Sequence, residues 1–170
     1  DELVAYEELS TKIAKFNQEN LDFEAQKMLE SLLFKRAGVA KGAKSKVPAL
    51  RKLLEERESP VEFCLIYCYD TVQLLEVGAM LHELGIPYQK ITGEEQTRPD
   101  PRYSGLSERD WILKKFSQGI TKVLLAIKCL DEGVDVPAAQ LAFVLASSGN
   151  SREFIQRRGR LLRPSPGKEF

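Results

Sequence analysis

Hydrophobic residues in the first part of the chain recur at helical spacing. Every third or fourth position is apolar in one run: Leu3, Tyr6, Leu9, Ile13 and Phe16. This spacing predicts an amphipathic helix, and a second one begins near Phe23. A third helix is predicted from about Ser45 to Glu58, with Gly38–Gly42 as its irregular lead-in.

From Ser59 onward, dense apolar runs alternate with amphipathic segments. Pro60 precedes VEFCLIYCY, an apolar run typical of a strand buried on both faces. Further strands are predicted at 88–91, 122–130 and 140–147, and helices at 71–84 and 107–116. Strands that alternate with helices predict an α/β fold built on a parallel sheet.

The change of pattern predicts two regions. Residues 1–59 are expected to form a helical extension or linker, and residues 60–170 a compact domain. In parallel sheets the functional loops follow the carboxyl ends of the strands and lie along one edge. We therefore expect four segments at that edge: Asp70-Thr71, Thr92-Gly93, the turn after Leu130, and Ser147–Ser151.

Composition removes several classes of function. A chain of 170 residues is long enough for one domain with a proper core. Basic and acidic residues are equal at 25 each, so no global charge draws the protein to nucleic acid, and any such affinity must come from local patches. No apolar run approaches the roughly 20 residues of a membrane span, so we expect no membrane partner.

Cysteine and histidine are too scarce for a standard zinc site. The chain has three cysteines and one histidine, and we expect no bound metal of its own. An odd number of cysteines without a signal peptide predicts a reducing, cytoplasmic location. The chain begins at Asp1 rather than Met and stops at GKEF, so we expect it to be part of a longer protein.

The segment REFIQRRGRLLR, residues 152–163, is predicted to form an arginine-rich helix. Gln156, Arg160 and Arg163 are spaced by four and then three residues, so they share one face, whereas Arg157 points elsewhere. The guanidinium group presents a fixed fork of donors that suits phosphate. The same composition is also typical of a solvated surface or of a nonspecific nucleic-acid patch.

Two segments imitate the phosphate-binding loop and the magnesium-binding strand of nucleotide enzymes. GVAKGAKS, residues 38–45, departs from G-x-x-x-x-G-K-[ST], because Ala43 separates Gly42 from Lys44 and no strand precedes it. LLAIKCLDE ends in two carboxylates but has no phosphate loop upstream. The turn DEGVDVP, residues 131–137, places acidic residues around Gly133, which also fits a plain exit from strand to solvent.

Several motifs occur together and in one order. The last of them is Gln-x-x-Gly-Arg-x-x-Arg, preceded by DEGVDVP, by Arg109 with the segment behind it, by ITGEE and by FCLIYCYD. With these motifs the chain resembles the C-terminal RecA-like domain of superfamily 2 helicases and translocases over residues 60–170. DEGVDVP and RRGRLLRPSPGK are most similar to the branch with xeroderma-pigmentosum-B-like DNA helicases and restriction-associated translocases.

The resemblance implies a RecA-like parallel sheet sandwiched by helices, with an N-terminal helical extension. It also implies roles for single residues. Arg160 and Arg163 would be catalytic arginine fingers at the γ-phosphate of ATP, and Gln156 would bind near that phosphate or its water. Gly159 would let the helix approach closely, since a glycine inside a helix costs about 1 kcal/mol and needs a reason.

The other implied contacts concern coupling and the nucleic-acid track. Gly133 and Asp135 would contribute to coupling with ATP. Thr92 and Gly93, together with Lys128 or the backbone near it, would touch nucleic acid. ATP and Mg²⁺ would be held mainly by another RecA-like domain of the same protein, because this sequence has no phosphate loop.

The expected function is therefore the second motor domain of an ATP-dependent DNA helicase or translocase. DNA is preferred over RNA, because the corresponding loops of RNA-directed DEAD-box enzymes usually read differently. The isolated chain is expected to be inactive as an ATPase. The alternative is a non-catalytic RecA-like scaffold that binds nucleic acid or protein. An unrelated α/β regulator has no glycine-rich phosphate loop to support it.

Overall fold

The computed structural model describes residues 2–16, 21–127, 136 and 138–146. The chain divides into two compact units, Asp1–Lys44 and Ser45–Phe170. The predicted division into 1–59 and 60–170 stays a prediction. Among the described residues, no helix is long and apolar enough to cross a membrane.

The first unit is a pair of helices that pack against each other, α1 (Glu2–Ala14) and α2 (Phe23–Lys41). Asp22 caps α2, since its side chain accepts a backbone N–H of the first turn at 2.8 Å. The guanidinium of Arg36 lies over the Tyr6 ring, 5.6 Å from the centroid, and so links the two helices.

The prediction of an irregular lead-in at Gly38–Gly42 was wrong, because this segment is the end of α2. Gly42 donates its backbone N–H to the Gly38 carbonyl at 2.9 Å and so continues the helical pattern. Both glycines line a shallow cavity with Glu2 and Ala5 of α1. A helical backbone also rules out this segment as a phosphate loop, since its N–H groups are used within the helix.

The second unit alternates helices and strands, as predicted. Its elements are α3 (Lys46–Glu55), β1 (Cys64–Tyr67), α4 (Thr71–Glu83), β2 (Tyr88–Ile91), a 3-10 turn (Pro101–Tyr103), α5 (Glu108–Ser117), β3 (Val123–Ala126) and β4 (Leu141–Val144). The bounds of β2 agree with the prediction, whereas β1, β3 and β4 are shorter than their apolar runs. Buried residues such as Cys68 and Ile127 extend those runs beyond the paired strands.

The four strands form one parallel sheet in the order β2-β3-β1-β4. Tyr67 at the end of β1 pairs with Ala126 of β3 and with Val144 of β4. Ala126 pairs in turn with Ile91, the last residue of β2. All four strands therefore end at the same level, and the predicted parallel α/β sheet is confirmed.

Successive side chains of β1 enter two separate cores. Ile66 packs with Leu50 of α3 and Leu81 of α4 on one face of the sheet. Leu65 packs with Phe116 of α5 on the other face. Helices therefore cover both faces, which explains why the two central strands, β1 and β3, are apolar and buried along their whole length.

Several sequence predictions lie outside the described residues. These are the arginine-rich helix at 152–163, the loop at 147–151 and most of the turn at 131–137. Of that turn, the structure describes Val136, which is buried in the second core.

Replacement of a central β3 side chain should destabilise the second unit strongly. Leu125 is fully buried, so Leu125→Ala should lower the free energy of unfolding by about 2–5 kcal/mol. Denaturant unfolding followed by Trp111 fluorescence measures this change. The control Val72→Ala, at a residue 64% exposed on α4, should change stability by no more than about 0.5 kcal/mol. Equal effects of the two variants would contradict the assigned core.

Candidate functional site

The turns after β1 and β2 lie at the same edge of the sheet. Tyr67 and Ile91 both pair with Ala126 on the strand between them. Neighbouring strands are about 4.8 Å apart, so the ends of β1 and β2 are separated by roughly 10 Å. The expected placement of Asp70-Thr71 and Thr92-Gly93 at one edge of the sheet is confirmed.

Two hydrogen bonds hold the turn after β1. The Asp70 carboxylate accepts the backbone N–H of Gln73 at 2.9 Å. The buried Gln73 side chain in return accepts the backbone N–H of Tyr69 at 2.8 Å. This reciprocal arrangement is a variant of the capping box, and it gives α4 a defined start at the sheet edge.

The turn after β2 directs three donors at one carboxylate. Glu95 Oε1 accepts the Thr92 backbone N–H at 2.6 Å and the Thr92 hydroxyl at 2.9 Å. Glu95 Oε2 accepts the Gly93 backbone N–H at 2.9 Å. Gly93 has a φ of +92°, a conformation open to glycine because it has no β-carbon. Successive N–H groups that converge on an anion form a nest, the geometry used by many phosphate sites.

The charge state of Glu95 follows from these contacts. Burial acts to raise the pKa of its carboxyl group. The hydrogen bonds from Thr92 and Gly93 favour the ionised form more strongly, so the pKa lies below its usual value. The turn therefore binds a carboxylate anion at neutral pH.

A second carboxylate anchors the loop that follows this turn. Glu108 in the first turn of α5 accepts the backbone N–H of Gln96 at 3.1 Å. A cavity of about 430 Å³ is lined by residues of β2, of the turn after it and of α5, including Lys90, Glu95 and Glu108. The anion-binding turn thus borders a space that holds one cation and two carboxylates.

Arg109, one residue further along α5, has buried donors without an acceptor. Its Nε and Nη2 atoms are inaccessible to solvent and have no hydrogen-bond partner among the described residues. Buried donors are nearly always paired, so such a group requires an explanation. A guanidinium with open donors is suited to a carboxylate or a phosphate.

Lys46 contacts the carboxyl edge of the sheet at β4, the outer strand farthest from β2. It is the first residue of α3, and its ammonium group donates to the Leu145 carbonyl directly after β4. Burial lowers the pKa of Lys46. The two residues are 99 positions apart, so no local pattern in the sequence identifies this contact.

Sequence reasoning also missed Glu95. The segment ITGEE offers two adjacent glutamates, and nothing in their order shows which one turns back to the Thr92–Gly93 turn. The usable signal was indirect: a carboxylate two or three residues after a glycine turn is within reach of its free N–H groups.

The buried cysteines show no sign of reactivity or metal binding. Burial raises the pKa of both Cys64 and Cys68 to about 12, so each is a neutral thiol at physiological pH. Within the described residues, no group of three His, Cys, Asp or Glu side chains could hold a metal ion.

Of the predicted site residues, the structure describes Thr92 and Gly93 and brings them together at the sheet edge. The others lie outside the described residues: Lys128, Gly133, Asp135, Gln156, Gly159, Arg160 and Arg163. Their roles stay predictions from the sequence.

Known proteins share this sequence pattern. The family model of the helicase conserved C-terminal domain matches residues 45–165. DNA 3'-5' translocase XPB2 of Sulfurisphaera tokodaii is 32% identical over 125 residues, which cover 74% of this chain and 25% of that protein. ATP-dependent RNA helicase DBP2 of Debaryomyces hansenii is 29% identical over 101 residues, which cover 59% of this chain and 17% of that protein.

A solved structure shares the fold. The C-terminal domain of the DEAD-box protein Dbp5 matches with a TM-score of 0.58 and 20% sequence identity, covering 76% of this chain and 68% of that domain. At this identity the likeness concerns the fold. The chain spans a quarter or less of the length of both curated relatives.

The contacts of Glu95 predict an acid-sensitive turn. Because its pKa is lowered in the folded state, the contacts stabilise the fold above the unfolded-state pKa, and this contribution is lost as pH falls through the folded-state pKa. A carboxyl-carbon NMR titration should give a Glu95 midpoint below the usual value for glutamate. Thr92→Val removes the hydroxyl donor and should raise that midpoint. A midpoint at or above the usual value in the unmodified protein would contradict the assigned contacts.

Proposed function

This chain belongs to the helicase conserved C-terminal domain family, in superfamily 2, and we propose that it is the second motor domain of an ATP-dependent DNA helicase or translocase. One observation carries the proposal: the Thr92–Gly93 turn converges on an anion at the carboxyl edge of the parallel sheet. A motor domain needs such a site to hold a nucleic-acid backbone while another site responds to ATP.

The nucleic-acid track would begin at this turn. The N–H groups of Thr92 and Gly93 and the Thr92 hydroxyl are suited to the non-bridging oxygens of a phosphodiester. Contacts to phosphate carry no base information, so binding here would be independent of sequence. Lys128, directly after the apolar run of β3, would add a positive charge to the same edge.

The ATP side of the domain would be formed by the arginine-rich segment. Donor chemistry fits the γ-phosphate, because Arg160 and Arg163 share one predicted face with Gln156. An arginine that neutralises charge on the transferred phosphoryl group is worth roughly 10³–10⁵ in rate. Gly159 would allow the close approach of this face.

Coupling would pass between these two sites. Gly133 and Asp135 lie in sequence between the end of β3 and β4, so they would respond to nucleotide beside the track. ATP supplies the phosphoryl group. A second RecA-like domain would make most of the contacts to ATP and would hold Mg²⁺. Closure and reopening of the cleft between the domains would shift the strand held at Thr92–Gly93.

The choice of DNA over RNA rests on the residues of two motifs and on the name of one relative. A relative at 32% identity is named a DNA translocase, and DEGVDVP with RRGRLLRPSPGK is of the type found in that branch. A relative named an RNA helicase is similar over a smaller share of the chain. We therefore propose duplex or single-stranded DNA as the substrate.

The ATPase prediction separates a motor from a scaffold. The isolated chain should show no appreciable ATP hydrolysis, because it has no phosphate loop. The full-length protein should hydrolyse ATP, and DNA should stimulate it more than RNA of the same sequence. Phosphate release is the measurement for both proteins. Hydrolysis by the isolated chain would contradict the two-domain proposal, and an inactive full-length protein would favour the scaffold.

The arginine finger can be tested in the full-length protein. Arg160→Ala should lower kcat by about 10³-fold or more while ATP affinity stays nearly unchanged, because the finger acts on the transition state. Arg157→Ala removes the same charge from another face and is the matched control. Single-turnover hydrolysis and nucleotide binding give the two quantities. Unchanged turnover in Arg160→Ala would remove Arg160 from this role.

A further inference from the structure

The donors of the Thr92–Gly93 turn are already in use. Glu95 takes two of them on Oε1 and the third on Oε2, at 2.6–2.9 Å. A phosphodiester presents its two non-bridging oxygens in a similar arrangement. It cannot accept the same hydrogen bonds while the carboxylate is there, and two anions at one site repel each other.

We propose that Glu95 is an internal competitor, whose carboxylate occupies the phosphate site of the Thr92–Gly93 turn and must leave before a nucleic-acid phosphodiester binds. The proposal rests on the proposed function, in which this turn is part of the nucleic-acid track. It adds that the turn is blocked in the free protein and opens only when the phosphodiester displaces Glu95.

The turn does not depend on Glu95 alone for its position. Gln96 donates its backbone N–H to Glu108 at 3.1 Å, which ties the loop to α5. Further along, Asp100 donates its backbone N–H to the Leu106 carbonyl at 2.9 Å and closes the rest of the loop. The loop after the turn therefore stays anchored when the Glu95 side chain moves, and before the turn Ile91 is held by its pairing with Ala126 of β3.

A cavity beside the turn can accept the displaced Glu95 side chain. Glu95 already lines the cavity of about 430 Å³ beside β2 and α5. Lys90 lines the same cavity and offers a positive charge to the displaced carboxylate. Glu108 is also there but is bound to the Gln96 N–H, which satisfies part of its charge.

Internal competition lowers the apparent affinity for nucleic acid. A ligand that binds only the open turn is weakened by the fraction of molecules in which the turn is open. Removal of the Glu95 carboxylate should therefore tighten binding, whereas a carboxylate that merely holds the turn in shape would weaken binding when removed. The two roles predict opposite signs.

The experiment measures the affinity of the full-length protein for a fluorescein-labelled single-stranded oligodeoxynucleotide by anisotropy. Glu95→Ala should lower Kd by about tenfold, the factor for a site that is open in one molecule of ten. Glu94→Ala is the matched control, since it removes the same charge from an exposed neighbour in the loop. Glu95→Gln keeps the shape and a neutral acceptor, so its Kd should fall between those of the wild type and Glu95→Ala.

A double variant separates failure of this proposal from failure of the proposed function. In the Glu95→Ala background, Thr92→Val removes a freed donor and should weaken binding. Weaker binding there, without tighter binding in Glu95→Ala alone, would overturn the competitor and leave the track in place. No effect of Thr92→Val would overturn both at this turn. Equal Kd values for Glu94→Ala and Glu95→Ala would show that the change in affinity comes from the loss of one negative charge in the loop. That result would also overturn the proposal that Glu95 competes with the phosphodiester.

Discussion

The in-register pairing of four parallel strands determines where the described turns of the second unit lie. Ile91, Ala126, Tyr67 and Val144 are aligned across the sheet, so the chain leaves all four strands at one level. A slip of one residue would turn each side chain to the opposite face, so the residues that fit one core would have to pack in the other. Burial on both faces therefore fixes the register of the strands, and the turns with the carboxylate contacts follow at the carboxyl edge of the sheet.

At that edge, carboxylates shape the turns by accepting backbone N–H groups. Asp70 does so after β1, Glu95 after β2 and Glu108 in the loop that follows. The contacts of Asp70 and Glu95 satisfy donors that the start of a helix and the end of a strand leave free. The same donors suit phosphate, so the contact with Glu95 and the nucleic-acid contact proposed at Thr92–Gly93 would draw on one set of N–H groups.

The domain is one half of a site in the function proposed for it. The described residues provide an anion-binding turn, a cation at Lys46 near the end of β4, and open donors on Arg109. The segment most similar to a phosphate loop, residues 38–45, is the end of a helix and the turn behind it. A nucleotide bound between two such domains would therefore receive arginines from this chain and its phosphate loop from another.

Local patterns in the sequence determined the elements that depend on neighbouring residues. The bounds of β2 and the positions of α4 and α5 follow from apolar periodicity and short-range hydrogen bonds, and the motif order indicated the family. Tertiary structure alone decided which of two adjacent glutamates occupies the Thr92–Gly93 turn, and that Lys46 meets Leu145. Those outcomes depend on backbone direction and on contacts between distant residues, which periodicity does not encode.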